Sequence, residues 1–179
     1  MHATVRGEGM RDVVIRDARP EDRDAIRAVT LAAYEEYAAV MPKPFWDGYQ
    51  RQLLVTLDEE GPVERIVAER KGTIIGSVLL YPPLANAYAG GSVNVGWPEV
   101  RLLAVAPVAR GQGVGTALLD ECERRARRVG ARMLGLHTIE MMQLAIGMYE
   151  RRGFERVPEL DFRPAQGILV KGYCRRLTS

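Results

Sequence analysis

Residues 109–115 read ARGQGVG, with Gly111, Gly113 and Gly115 at every second position behind Arg110. A glycine-rich turn between a strand and a helix points several backbone N–H groups into one concavity at the positive end of the helix dipole. Such a concavity binds phosphate without needing a lysine. The structural alternative is a tight turn in which small residues permit close packing, and the glycine spacing alone leaves both interpretations open.

Two better-known phosphate motifs do not match this stretch. A P-loop places a Lys-Ser/Thr pair after its glycines, and residues 109–115 contain no lysine. The dinucleotide fingerprint G-x-G-x-x-G needs two residues between its second and third glycines, whereas one residue separates Gly113 from Gly115. Any phosphate held here would therefore be bound mainly by backbone amides.

The segments around the glycines predict one strand-helix-strand unit. Residues 99–107 form an apolar run that ends at Pro107, and residues 114–129 place apolar side chains on one helical face before Gly130. The run MLGLHT at residues 133–138 predicts the next strand. Two strands joined through a helix in this way lie parallel, with a right-handed crossover.

The remaining patterns predict elements that surround this unit. Lys71 and Gly72 can supply the positive φ of a tight turn between two antiparallel runs. The other predicted elements are strands at 13–15, 65–69, 73–81, 154–157 and 168–173, helices after Pro20, at 45–57 and at 141–152, and a long loop or irregular hairpin at 82–98. Together they indicate a mixed sheet with helices on both faces.

Composition limits the class of protein and its partners. The 179 residues, 47% hydrophobic and 27% charged, predict one globular domain at residues 13–179 after a flexible tail at residues 1–12. The net charge of +2 comes from 25 basic and 23 acidic residues spread along the chain, so we expect neither nucleic acid nor a membrane as a partner.

The cysteines and the apolar runs bear on the compartment. Cys122 and Cys174 lie far apart without metal-ligand spacing, which suits a reducing cytosol and predicts no metal site. Residues 1–12 lack the apolar core of a secretory signal, and the longest apolar run, residues 74–80, is too short to span a bilayer. We therefore expect a soluble, cytoplasmic protein.

The stretch LLAVAPVARGQGVGTALL resembles the signature of the GNAT superfamily of N-acetyltransferases, which is Arg/Gln-x-x-Gly-x-Gly/Ala after a strand ending in Val-x-Pro. Arg110, Gly113 and Gly115 occupy its fixed positions. Three other segments resemble further parts of the family in the family's order, namely IRDARPEDRDAI, ERKGTIIGSVLL and AIGMYERRGFERV. The resemblance covers about residues 13–177, and four motifs in order are specific.

The resemblance implies a fold and a donor. The fold is α/β, a mixed and mostly antiparallel sheet of six to seven strands with a central, splayed parallel pair and helices on both faces. The donor is acetyl-CoA, whose pantetheine arm pairs with Leu103, Ala104 and Val105. Its pyrophosphate binds the backbone amides behind Arg110, which here are those of Gly111, Gln112, Gly113, Val114, Gly115 and Thr116.

Direct acetyl transfer needs a proton for the leaving thiolate, and the resemblance implies that Tyr149 supplies it as general acid. A tyrosine has an ordinary pKa of about 10 against about 8.5 for a thiol, so it stays protonated at neutral pH. The alternative is a tyrosine that packs its ring against the sheet, with Ala145 four residues earlier on its face.

The amine must also lose a proton, and Glu99 lies where many family members carry a glutamate base that acts directly or through water. Strand alternation predicts that Glu99 shares a face with Arg101 and Leu103. The alternative is an exposed strand-end carboxylate paired with Arg101. His137 is a second candidate base, for which the alternative is a strand-end histidine with satisfied hydrogen bonds.

One position departs from the family pattern. Many members have an asparagine seven residues before the helix tyrosine, where this chain has Met142 beside Met141. The cofactor contact of that asparagine is therefore not expected here. The methionines either widen the acyl pocket or fill core space.

The resemblance places the acceptor between the first two helices and the far side of the splay. Candidate substrate-binding residues are Tyr34, Tyr37, Phe45, Trp46, Tyr88 and Trp97. We expect a small-molecule amine as the acceptor, with a protein lysine or N-terminus second, and a homodimer as one possible assembly. The alternatives are a non-catalytic acyl-CoA sensor of the same fold and a nucleotide-binding domain of another fold.

Overall fold

The computed structural model describes residues 10–83 and 96–177 of the chain. Its helices are α1 (Arg23–Tyr34), α2 (Lys43–Leu57), α3 (Val114–Arg128) and α4 (Gln143–Arg151). Its strands are β1 (Val13–Asp17), β2 (Glu64–Arg70), β3 (Thr73–Tyr81), β4 (Glu99–Val105), β5 (Met133–Ile139), β6 (Glu155–Arg156), β7 (Phe162–Ala165) and β8 (Ile168–Arg176). Short 3-10 helices lie at Pro20–Asp22, Glu35–Ala39, Pro107–Ala109 and Pro158–Leu160.

The eight strands of the described residues form one sheet in the order β1-β2-β3-β4-β5-β8-β6, with β7 paired to β8. Only β4 and β5 pair in parallel among these neighbours, and the other pairs are antiparallel. The mixed, mostly antiparallel sheet is confirmed. The described sheet has eight strands, one more than the upper end of the expected six to seven, because β7 is short and its Pro164 masks the strand pattern.

The parallel pair at the centre of the sheet is splayed, as expected. Only Glu99 with Gly135 and Val100 with Leu136 are paired across β4 and β5. Both strands continue beyond these pairs, β4 to Val105 and β5 to Ile139. The edge of β4 beyond Val100 is therefore separated from β5, at the end where α3 begins.

The β2-β3 turn confirms the prediction made from its two residues. Arg70 pairs with Thr73, and the residues between them, Lys71 and Gly72, have φ values of 49° and 79°. Left-handed φ at both central positions matches the right-handed twist of an antiparallel hairpin.

Helices cover both faces of the sheet, as the sequence predicts. Val78 and Leu80 of β3 belong to a core that includes residues of α3 and α4. Leu79 and Tyr81, which alternate with them, belong to a core that includes residues of α1 and α2. None of the described helices is long and apolar enough to cross a membrane.

A bulge in β4 changes which residues share a face. Leu102 has a φ of 49°, and the register with β3 shifts between Arg101 and Ala104. Leu102 packs with the core beneath α1 and α2, whereas Leu103 packs with the α3 core. The expectation that Leu103 shares a face with Glu99 and Arg101 is therefore wrong, because regular alternation stops at the bulge.

Candidate active site

A cavity of about 1910 Å³ opens where β4 and β5 diverge. One side is formed by α1, α2 and the 3-10 turn between them, and the other by residues 110–116 and α4. Residues of β4, β5, β7 and β8 also line the cavity. The cavity therefore joins the predicted donor loop to the predicted acceptor region.

The glycine loop leads into the N-terminus of α3, beside this cavity. Gly111 and Gly113 have left-handed φ values of 70° and 87°, and Gly113 is the residue that caps the helix. The Ala117 N–H donates to the Gly113 carbonyl over 3.0 Å. The amides before Ala117 precede this first helical bond, so they are the donors that a helix N-terminus offers to an anion.

Two side chains of the loop hold it in place. The Gln112 amide accepts a hydrogen bond from Arg70 at 2.9 Å and donates to the Val108 carbonyl at 2.9 Å. The Arg110 guanidinium donates to Glu36 at 2.7 Å and to the Ala33 carbonyl at 2.8 Å. Arg110 thus lines the cavity, while its charge is engaged by the end of α1 and the turn that follows.

Gly115 packs between β4 and α4. A Cβ built on Gly115 would lie 3.5 Å from Val105 Cγ2 and 3.6 Å from Met148 Sδ. A larger side chain would fill the space between β4 and α4. Both interpretations of residues 109–115 therefore apply. Gly113 has the left-handed conformation at the cap of α3, which leaves backbone amides for an anion, and Gly115 packs between β4 and α4.

The residues of this region fit coenzyme A. The separated edge of β4 can pair with an extended amide-containing arm, and Leu103 and Val105 line the cavity there. Ala104 is buried on the opposite face, where its β3 partner is Ser77. The α3 N-terminus lies at one end of this edge, where a pyrophosphate needs amide donors.

Tyr149 of α4 lies on the cavity wall and is largely buried. Its ring packs edge-on against Phe154, with 5.8 Å between the ring centroids. Burial, followed by the nearby Tyr37 and Cys122, raises the pKa of Tyr149 above its ordinary value. The hydroxyl is therefore protonated at neutral pH, and the ring is packed as well.

Glu99 is 2% exposed and does not line the cavity. Its Oε1 accepts a hydrogen bond from Arg101 Nε at 3.0 Å and lies 3.2 Å from His137 Nδ1. Burial acts to raise the pKa of Glu99, but the His137 and Arg101 contacts outweigh it and lower the pKa. The alternative interpretation was an exposed carboxylate paired with Arg101. It is correct about the partner and wrong about the exposure, because Glu99 is buried.

His137 links this carboxylate to another part of the chain. Its Nε2 lies 3.1 Å from the Leu160 carbonyl, so both ring nitrogens face acceptors. Arg101 in turn stacks over the Tyr81 ring at 3.9 Å, and the Tyr81 hydroxyl donates to Glu59 at 2.7 Å. His137 thus lies within β5 with an acceptor beside each ring nitrogen, and it also lines the cavity.

We expect Glu99→Ala to lower the free energy of unfolding by about 3–5 kcal/mol, because it removes the buried carboxylate that contacts Arg101 and His137. The folded-state pKa of Glu99 is lowered, so its contribution is present above the ordinary value of 4.5 and is lost as the pH falls through the folded-state pKa. Urea unfolding at several pH values measures this. The difference in the free energy of unfolding between wild type and Glu99→Ala should narrow below pH 4.5, and the exposed Glu60→Ala is the control.

The structure divides the predicted acceptor aromatics. Tyr34, Tyr37 and Phe45 line the cavity. Trp46 is buried in a core with Met41, Ile139, Met142, Ile168 and Val170. Trp97 packs on Gly135, where an added Cβ would overlap the indole nitrogen, and it lies away from the cavity wall. Tyr88 lies outside the described residues.

Several lining residues were not predicted from the sequence. Tyr49 follows Phe45 by four positions on α2, and this spacing was a signal that both share one helical face. Met148 and Phe162 also line the cavity, without a comparable signal. Met142 borders the cavity and is buried, and its sulfur accepts a hydrogen bond from the Thr138 hydroxyl at 3.7 Å. It therefore fills core space and also forms part of the pocket.

Among residues 10–83 and 96–177, no group of three or more His, Cys, Asp or Glu side chains is arranged to hold a metal ion.

Comparison with known proteins relates this site to a family. Residues 25–154 match the model of the acetyltransferase (GNAT) family. The amino-acid acetyltransferase of Pseudomonas syringae pv. syringae is 31% identical over 160 residues, which cover 82% of this chain and 34% of that protein. The aminoalkylphosphonate N-acetyltransferase of Salmonella typhimurium is 29% identical over 146 residues, which cover 79% and 84% of the two chains.

Solved structures show the same fold at low identity. PaiA N-acetyltransferase from Thermoplasma acidophilum, in complex with coenzyme A, has a TM-score of 0.69 at 17% identity over 92% of this chain and 98% of that one. An acetyltransferase of the GNAT family from Staphylococcus aureus Mu50 has a TM-score of 0.69 at 15% identity, over 93% and 99% of the chains. The chain spans about a third of the length of the amino-acid acetyltransferase it matches.

Proposed function

Because the chain belongs to the GNAT family of acetyltransferases, we propose that it moves an acetyl group directly from acetyl-CoA to a primary amine of a small molecule. The observation that carries this proposal is one cavity that contains the α3 N-terminus, the separated edge of β4 and Tyr149. A phosphate cradle, a strand edge and a protonated acid are the groups that a thioester donor with a pyrophosphate needs.

On the donor side, the chain binds and orients acetyl-CoA. The amides of residues 111–116 hold the pyrophosphate, and the β4 edge at Leu103 and Val105 pairs with the pantetheine arm. Acetyl-CoA supplies the activated acetyl group. A backbone N–H near Leu103 stabilises negative charge that develops on the carbonyl oxygen, a contribution of about 2.7–4 kcal/mol for one well-placed donor.

Tyr149 serves as the general acid. As the amine nitrogen bonds to the carbonyl carbon and the carbon–sulfur bond breaks, the Tyr149 hydroxyl gives its proton to the departing sulfur. The raised pKa of Tyr149 means that its hydroxyl is protonated at neutral pH. Water then reprotonates the phenolate, which completes the cycle.

Glu99 acts indirectly in this proposal. Its carboxylate contacts Arg101 and His137, its pKa is lowered, and it lies off the cavity wall. A role through His137 or an intervening water fits this geometry better than direct contact with the amine. The amine proton therefore passes to water in the cleft, while Glu99 keeps His137 and Arg101 in position.

The acceptor class is supported by two relatives. Amino-acid acetyltransferase and aminoalkylphosphonate N-acetyltransferase are both named for small-molecule amines. We further propose that residues 13–179 form one acetyltransferase domain. We also propose that the protein works in the cytoplasm, a compartment that suits the free thiols of Cys122 and Cys174. As its assembly we propose a homodimer. Sedimentation of the purified chain tests the dimer.

A screen of an amine library with acetyl-CoA tests the function, with released thiol as the readout. We expect thiol release that depends on both the protein and an amine. Binding of acetyl-CoA without turnover would contradict the proposal and indicate a sensor. Displacement of coenzyme A by ATP or NAD at similar affinity would indicate a nucleotide-binding domain instead.

A further inference from the structure

One end of the cavity is walled by aromatic rings from α1, α2 and the turn between them. We call this the aromatic wall, and it consists of Tyr34, Tyr37, Phe45 and Tyr49, all of which line the cavity. Tyr34 meets Tyr37 edge-on at 5.8 Å between ring centroids, and Phe45 stacks on Tyr49 at 5.8 Å with 14° between the ring planes. The rings therefore support one another in fixed orientations.

Further apolar residues of the cavity lining pack with the aromatic wall. The aromatic wall packs in one cluster with Phe162 and Ala165 of β7, and with Ile139 at the end of β5. All three of these residues also line the cavity. An acceptor placed here would be surrounded by flat, apolar surfaces, and its amine would have to reach towards Tyr149 and the β4 edge.

The charges around this end oppose an anionic acceptor. Glu36 and Glu59 line the cavity, and the Glu59 carboxylate accepts a hydrogen bond from the Tyr81 hydroxyl. Of the three lining arginines, Arg101 is held by Glu99 and the Tyr81 ring, and Arg110 is held by Glu36. The third, Arg151, is exposed at the end of α4.

A carboxylate or phosphonate brought against these rings would lose water without gaining a cation from Arg101 or Arg110, which are already paired, and this loss is costly. Because Glu36 is paired with Arg110, the attraction for an approaching ammonium group would come from Glu59, whose carboxylate accepts from the neutral Tyr81 hydroxyl. Aromatic bodies bury a large area against such a wall and prefer the stacked and edge-on arrangements seen among its rings.

We propose that the acceptor is an arylalkylamine, a primary amine on a short alkyl chain attached to an aromatic ring, with no carboxylate or phosphonate beside the amine. This inference rests on the proposed acetyl transfer and specifies its substrate class. The preference differs from the amino-acid and aminoalkylphosphonate acceptors for which the two relatives are named.

A matched set of amines tests the proposal. 2-Phenylethylamine, phenylalanine and ethylamine are compared by kcat/KM for acetylation and by equilibrium binding to the protein saturated with coenzyme A. We expect kcat/KM and the association constant to be at least about tenfold higher for 2-phenylethylamine than for ethylamine, because 2-phenylethylamine buries its ring. Phenylalanine, which adds only a carboxylate, should fall at least about tenfold below 2-phenylethylamine.

Phe45→Ala tests whether the aromatic wall causes the preference for 2-phenylethylamine over ethylamine. It should raise the KM for 2-phenylethylamine about tenfold, leave the KM for acetyl-CoA unchanged and bring the phenylethylamine-to-ethylamine ratio close to one. Val129→Ala is the control, because Val129 is an exposed apolar residue beyond the end of α3 and away from the cavity. It should change none of these values.

The two proposals can fail separately. Equal or better use of phenylalanine, or an unchanged ratio in a folded Phe45→Ala variant, would overturn the arylalkylamine proposal while leaving acetyl transfer intact. Acetylation of no amine would overturn acetyl transfer. In that event the binding comparison still decides whether the cavity selects arylalkylamines.

Discussion

Tyr149→Phe is expected to lower kcat by about 100-fold or more, while the dissociation constant for coenzyme A stays nearly unchanged. The variant keeps the ring that packs against Phe154 and removes only the hydroxyl of this cavity-lining residue. Without that hydroxyl the thiolate must leave unprotonated or take its proton from water. Steady-state kinetics and calorimetric titration with coenzyme A separate the two effects.

Tyr173→Phe is the matched control for this prediction. Tyr173 is also a buried tyrosine, but its hydroxyl lies 3.3 Å from Glu150 and it does not line the cavity. Tyr173→Phe should keep the wild-type kcat. If Tyr149→Phe also turned over at the wild-type rate, Tyr149 would have no part in proton transfer and would be only a packing residue.

Gly113→Val is expected to weaken coenzyme A binding at least about tenfold. Gly113 has a φ of 87°, a region that a β-branched residue enters only at a cost of about 1–3 kcal/mol. Relief of that strain moves the loop and reorients the amides at the start of α3. Titration of the purified variant with coenzyme A measures the loss.

Gly130→Val separates loss of binding from general strain. Gly130 has a similar φ of 76°, follows the other end of the same helix, and has open space where its Cβ would lie. This variant should lose stability while binding coenzyme A as wild type does. Equal affinity in Gly113→Val and wild type would show that the loop conformation is not needed to hold the pyrophosphate.

Local signals in the sequence determined much of the fold. Lys71 and Gly72 specify a hairpin through their own backbone preferences, and Gly130 ends α3 for the same reason. The β4 bulge carries no such signal, since Leu102 adopts a positive φ that leucine does not favour. Its conformation is imposed by the surrounding sheet, so alternation along β4 could not predict where Leu103 would point.

The site was predictable where a motif is contiguous and unpredictable where distant segments meet. Gly113 caps α3 and Tyr149 lines the cavity, as their motifs imply. The environment of Glu99 depends on His137, 38 residues away, and His137 in turn depends on the Leu160 carbonyl. Such contacts follow from the order of strands in the sheet, which no local pattern records.

The most direct test of acetyl transfer counts both products of one reaction. The best amine from the library is incubated with acetyl-CoA and protein, and released thiol is measured beside N-acetylated amine by mass spectrometry. One N-acetylated amine for each thiol, at a rate proportional to protein concentration, is the predicted result. Thiol without N-acetylated amine, or bound acetyl-CoA that stays intact in the presence of every amine, would contradict direct transfer.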